Sequence, residues 1–213
     1  MNRKEFIKKE YYKHWEKKNN ETTEDDYFNL IFKLFDSLDI ASAFEVAIGD
    51  GKPFAKQLAQ RFKVNGIDLS QDLVNIANTN DNIQAKYGDA EESYNNKYDL
   101  IYCLRSFWYF DNWKKVLRNM IETSNKYIIF DVLNGDNKEF VFDEINFRHT
   151  FLGKIFVAFK NFTKGLINLI TFNQKYFMQP LIPLESYHLH NDIVEFINKN
   201  FFGGGQFKLN IME

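Results

Sequence analysis

Between residues 43 and 133 the chain alternates five times between a short apolar run and a helix-period pattern, and this constrains its fold more than any other feature. Residues 43–48 are strand-like and end at Gly49-Asp50-Gly51. Phe54, Leu58 and Phe62 then recur on one helical face, with Pro53 suited to the first turn. Residues 64–69 are a second strand, and Ser70 can cap a helix carrying Leu73, Ile76 and Ala77. Residues 83–87 form a third strand. Residues 99–104 form a fourth, nearly continuous in apolar character, and a helix with Trp113, Val116, Leu117, Met120 and Ile121 follows. Residues 127–133 are the fifth strand. Strands joined through helices run parallel, because each crossover returns the chain to the same end of the sheet, and the helices cover both faces. The expected fold class is therefore α/β.

The flanks are helical. Ile7, Tyr11 and Trp15 make one stripe on a Lys-rich helix. Thr23 and Asp26 have capping-box spacing before Tyr27, Leu30, Ile31, Leu34, Phe35 and Leu38. Residues 145–184 contain no Asp or Glu but carry Arg148, Lys154, Lys160, Lys164 and Lys175 among many aromatic and aliphatic residues, as one or two amphipathic helices would. A last helix around 192–200 leads to a strand at 207–212. With no internal repeat and no low-complexity linker, residues 1–213 read as one domain. Its parts are N-terminal helices (1–40), a core (41–135) and a helical insertion or lid (136–190).

Charge and composition exclude several function classes. A net charge of -2 gives no electrostatic basis for binding nucleic acid. Cys103 is the only cysteine, which rules out an internal disulfide and argues against a thiolate zinc site, so no metal is expected. No apolar run approaches the length of a membrane span, and the N-terminus has no signal-peptide pattern; a cytoplasmic location is expected by default. Peripheral membrane contact through the basic insertion stays open.

Four features at the ends of the predicted strands carry chemistry. Glu45 through Gly51 ends the first strand, where glycines let the backbone turn and approach a ligand. Asp68, in Gly66-Ile67-Asp68-Leu69, can accept both hydroxyl hydrogens of a ribose. Asp89, in Gly88-Asp89-Ala90, can accept from an adenine amino group. Leu104-Arg105-Ser106 follows the fourth strand, where doubly wound sheets hold their ligands. Each alone has a bland reading as a turn or a solvated strand end. Their occurrence in order, each at a carboxyl strand end, is what gives them weight.

Over residues 40–135 this arrangement resembles the class I S-adenosylmethionine (SAM)-dependent methyltransferases of the small-molecule type. In that family an acidic residue at the end of strand one precedes glycines at alternate positions. Glu45, Gly49 and Gly51 match, and Ala47 stands where the first glycine usually is. The resemblance implies a three-layer Rossmann-like sheet, mostly parallel with an antiparallel C-terminal strand, two N-terminal helices and a helical insertion after strand five. It also implies SAM as cofactor. Its contacts would be Glu45, Ala47, Gly49 and Gly51 at the amino-acid end, Asp68 and Leu69 at the ribose, Asp89 and Ala90 at the adenine, and Leu104 facing the methionine portion. A dinucleotide-binding domain is the main rival, but its G-x-G-x-x-G/A fingerprint would place bulky Phe54 where Gly or Ala is wanted.

The resemblance implies in-line methyl transfer, with the protein supplying proximity and orientation. Strand four lacks the Asn/Asp-Pro-Pro-aromatic signature that holds planar amino groups, which argues against adenine or glutamine N-methylation. The basic and aromatic insertion suits a small-molecule acceptor better than a protein, with O- or N-methylation expected and anionic, sugar and lipid-linked metabolites as the open classes. Arg105, Trp108 and Tyr109 stand where the acceptor belongs, and Tyr11 is a candidate flap residue; each could instead be a packing residue. His188 is the candidate general base, against the bland reading of a loop histidine. The basic insertion reads as a core-packing helix pair, a lid over an anionic substrate, or a membrane-surface helix. A catalytically inactive scaffold and an NAD-dependent oxidoreductase remain alternatives.

Overall fold

Five strands form one sheet: β1 (Ala43–Val46), β2 (Val64–Asp68), β3 (Ile83–Tyr87), β4 (Tyr98–Cys103) and β5 (Ser124–Phe130). They lie in the order β3-β2-β1-β4-β5, and every pairing is parallel. The structure, a computed structural model, describes residues 4, 5, 7–9, 12, 26–92, 94, 96–131 and 190–201. The chain moves outward from β1 to β3 and then returns to the opposite side of β1, so the direction of winding reverses between β1 and β4. At such a switch point the two flanking connections leave toward opposite faces, and a crevice opens beyond the carboxyl ends of the strands.

The helices are α1 (Asp26–Ser37), α2 (Phe54–Leu58), α3 (Gln71–Ala77), α4 (Trp113–Thr123) and α5 (His190–Phe201). Strand periodicity sorts the core between them. Leu100 and Tyr102 of β4 face a cluster with Ile31 and Phe35 of α1, Phe54 and Leu58 of α2, and Val74 of α3. Ile101 and Cys103 face the other side, with Trp113, Val116, Leu117 and Met120 of α4 and Ile193 and Phe196 of α5. Central β1 is buried along its whole length, whereas β3 shows only alternate residues to the core. The expected parallel α/β architecture is therefore present.

Several boundaries differ from the sequence reading. β1 stops at Val46, not residue 48, because Ala47 turns to φ 59° and leaves the extended region. α2 ends at Leu58 with Pro53 as its N-cap. Arg61 N donates to Leu58 O at 2.9 Å, a tightened turn that takes Phe62 off the helix, although its ring still packs against the core. β5 begins at Ser124, directly after α4, and ends at Phe130. Ser70 caps α3 as expected, its side chain accepting from Leu73 N at 3.5 Å. Thr23, Trp15, all of the 136–190 insertion except His190, and the antiparallel strand at 207–212 lie outside the described residues. Among the described residues no helix is long and apolar enough to cross a membrane, and no group of three potential metal ligands occurs.

Candidate functional site

The loop after β1 is built on three left-handed residues at alternate positions: Ala47 (φ 59°), Gly49 (φ 58°) and Gly51 (φ 81°). The coiled backbone is tied to its surroundings, with Ile48 N donating to Ile67 O at 3.1 Å and Gly51 N to Ile48 O at 3.0 Å. A side chain on Gly51 would also meet Ile83, since a Cβ there would lie 2.9 Å from its Cδ1. Ala47 adopts its left-handed conformation at a cost of roughly 1–2 kcal/mol, partly offset by the smaller unfolded-state freedom of alanine, about 0.4–1 kcal/mol. Ala47→Gly is therefore expected to stabilise the fold by about 0.5–1 kcal/mol, read as a higher urea midpoint at unchanged m-value.

Two carboxylates stand behind this loop. Asp68 ends β2, with Oδ2 accepting from Gly49 N at 2.9 Å and Oδ1 from Ser70 N at 2.8 Å. It is 9% exposed, and burial pushes its carboxyl up to about 6 against the pull of those backbone donors. Glu45 in β1 is 4% exposed, and its Oε2 accepts from Tyr102 OH at 3.0 Å. Burial raises Glu45 well above the ordinary carboxylate range, outweighing the tyrosine hydrogen bond; the nearby Asp68 charge pushes the same way. Among the described residues no Lys or Arg forms an ion pair with either.

At the next strand end, Lys4 Nζ donates to Asp89 Oδ2 at 2.7 Å and lies 2.9 Å from Glu91 Oε2. Residues 4, 5, 7–9 and 12 are helical, and Ile7 and Tyr12 border the same crevice. Beyond β4, Arg105 is left-handed (φ 58°), and its N–H is shared by both oxygens of Asp131 at 2.8 and 2.9 Å. Tyr27 of α1 donates its hydroxyl to the same carboxylate at 2.7 Å. The Arg105 guanidinium lies over the Phe28 ring, 5.4 Å from its centroid. A 3-10 turn, Phe107–Tyr109, buries Phe107 and leaves Trp108 and Tyr109 half-buried.

These groups border one cavity of about 580 Å³, within the roughly 300–1,000 Å³ range of small-molecule sites. Glu45, Ala47, Gly49, Asp68, Leu69, Asp89, Ala90 and Leu104 line it, as do Arg105, Trp108 and Tyr109. Gly51 shapes the loop without lining the cavity. Tyr11 and His188 lie outside the described residues.

Sequence reasoning missed Tyr102, Asp131, Tyr27, Phe28 and Lys4 as members of this region. Asp131 was legible in principle, since it is an acidic residue ending an apolar run, as Asp68 is. The spacing of Lys4 contains no hint of its contact with Asp89.

Residues 43–126 match the family model described as a methyltransferase domain. No curated protein matches the sequence. Among solved structures, magnesium protoporphyrin IX methyltransferase from Synechocystis PCC 6803, with bound S-adenosylhomocysteine (SAH), is similar at 13% identity and a TM-score of 0.58. That match covers 92% of this chain and 86% of the other. The YcgJ protein from Bacillus subtilis is similar at 16% identity and a TM-score of 0.51, covering 81% and 66%. The chain spans less than half of three further matched structures, including 41% of the [4+2]-cyclase SpnF at 20% identity and a TM-score of 0.39. At these identities the likeness is one of fold.

Proposed function

We propose that the protein, whose residues 43–126 match a methyltransferase-domain model, binds SAM in this cavity and transfers its methyl group to an oxygen or nitrogen of a small-molecule acceptor. The observation that carries this reading is the pair of buried carboxylates, Glu45 and Asp68, bordering the cavity with no Lys or Arg in ion-pair contact among the described residues. Buried carboxylates left unpaired are costly, and a ligand with an ammonium group and a ribose diol would repair both. When bound, SAM supplies an electrophilic methyl on a sulfonium centre.

The chain's own residues would position the reactants. Asp68 accepts from Gly49 N and Ser70 N on its two oxygens, with Leu69 N–H also drawing on the carboxylate, and its remaining acceptor capacity is assigned to the ribose hydroxyls. Glu45, steadied by Tyr102, faces the amino-acid end. Asp89 is the acceptor for the adenine amine; Lys4 already donates to one of its oxygens, so the amine either displaces Lys4 or takes the free position beside it. The acceptor is placed at Arg105, Trp108 and Tyr109. His188 is the proposed base where the acceptor is a hydroxyl, and the 136–190 segment is the proposed cover.

Calorimetric titration with SAM, SAH and NAD in parallel tests the reading. Micromolar binding of SAM or SAH, with no heat from NAD, is the expected result. Binding of NAD alone overturns it in favour of an oxidoreductase. Silence from all three favours a scaffold that no longer binds a cofactor.

A further inference from the structure

We propose that Arg105 selects the acceptor, and that the acceptor carries an anionic group, carboxylate or phosphate, on a flat or apolar body. This rests on the SAM reading only in assigning the other end of the cavity to the cofactor.

The charges around the cavity are unevenly distributed. Glu45, Asp68 and Asp89 lie at the ends of β1, β2 and just beyond β3, a half suited to a cationic ligand. Of the basic residues lining the cavity, Lys4 is held by Asp89 and Glu91 at 2.7 and 2.9 Å, and Lys52 lies 3.9 Å from Asp50. Arg105, on the β4 side, forms no ion pair among the described residues. Asp131 accepts from the Tyr27 hydroxyl and the Arg105 N–H and its charge acts on Arg105 without an ion-pair contact, while Asp111 also borders this side of the cavity.

Arg105 has φ 58° with its N–H held by Asp131, and its guanidinium lies over the Phe28 ring. A guanidinium with one face on an aromatic ring keeps its in-plane N–H donors available, and their fork matches a carboxylate or phosphate edge. Trp108 and Tyr109, from the turn directly after Arg105, add flat apolar walls at the same end. A flexible surface arginine would need neither a strained backbone nor an aromatic support.

The test is titration of phenyl phosphate and benzyl alcohol into the full chain, with SAH titrated separately into each protein. Wild type should bind phenyl phosphate at least about tenfold more tightly than benzyl alcohol. Arg105→Gln should remove that preference, Arg105→Lys should restore part of it, and SAH affinity should stay within about threefold throughout. Should Arg105→Gln lose its thermal transition, Arg105→Gly answers the same question, because glycine accepts the left-handed backbone. No phenyl phosphate binding by wild type, or equal binding by the Gln or Gly variant, overturns the proposal. If SAH fails to bind while the Arg105-dependent preference persists, the cofactor reading falls and the anion site stands.

Discussion

Asp68→Ala is expected to weaken SAH binding by at least about a hundredfold. A hydrogen bond to a charged group contributes roughly 1.5–3 kcal/mol, and a ribose diol would make two to this carboxylate. The substitution also leaves Gly49 N–H and Ser70 N–H without their acceptor, so the loop that forms one wall of the cavity loses its tie to β2. Calorimetry on the folded variant measures the affinity, and urea unfolding measures the loss of the loop contacts. Asp68→Asn keeps only one acceptor oxygen and should fall between wild type and alanine on both scales. SAH affinity within threefold of wild type in Asp68→Ala would place the ribose elsewhere.

The same carboxylate sets an unusual pH profile. Its native value lies near 6, above the ordinary 3.8, because burial penalises the charged form. Between those values the native state therefore holds a proton that the unfolded chain has released. Stability from this source is complete below pH 4 and is lost as pH rises through 6, by about 3 kcal/mol. Glu45 is displaced in the same direction and adds to the slope. Ligand-free protein should lose stability from pH 4 to 7, and Asp68→Ala should show a flatter curve over that interval.

Phe54→Ala is the substitution with the largest expected effect on the fold itself, a destabilisation of about 3–5 kcal/mol. The ring is 3% exposed and meets four aromatic rings edge-on: Tyr27, Phe28, Phe32 and Phe35, at centroid distances of 5.7–6.3 Å. All four belong to α1, so this one side chain of α2 anchors the helix that supplies Tyr27 to Asp131 and Phe28 to Arg105. Urea unfolding measures the stability, and Phe54→Leu, which keeps most of the volume, should recover more than half of the loss. The bulk that argued against a dinucleotide fingerprint thus has a positive role here.

Much of this architecture was legible because it depends on local repetition. Apolar runs separated by helical stripes dictate strands joined through helices, and parallel pairing follows from the length of the crossovers. Glu45, Asp68 and Asp89 could be singled out because a carboxylate closing an apolar run marks a strand end wherever the sheet lies. The substitution of alanine at position 47 was also visible, but its left-handed backbone was not, since φ depends on how the loop is pinned to Ile67 and Asp68.

Local periodicity dictates which segments become strands and which chemical groups stand at their ends. Which of those groups meet depends on how the segments pack. Tyr102 reaches Glu45 because β4 returns beside β1, a separation of 57 residues. Tyr27 reaches Asp131 across 104 residues because α1 docks on Phe54, and Lys4 reaches Asp89 across 85. Periodicity reports which face of a segment is apolar, whereas these contacts arise from strand order and helix docking, where packing between distant segments selects the partners.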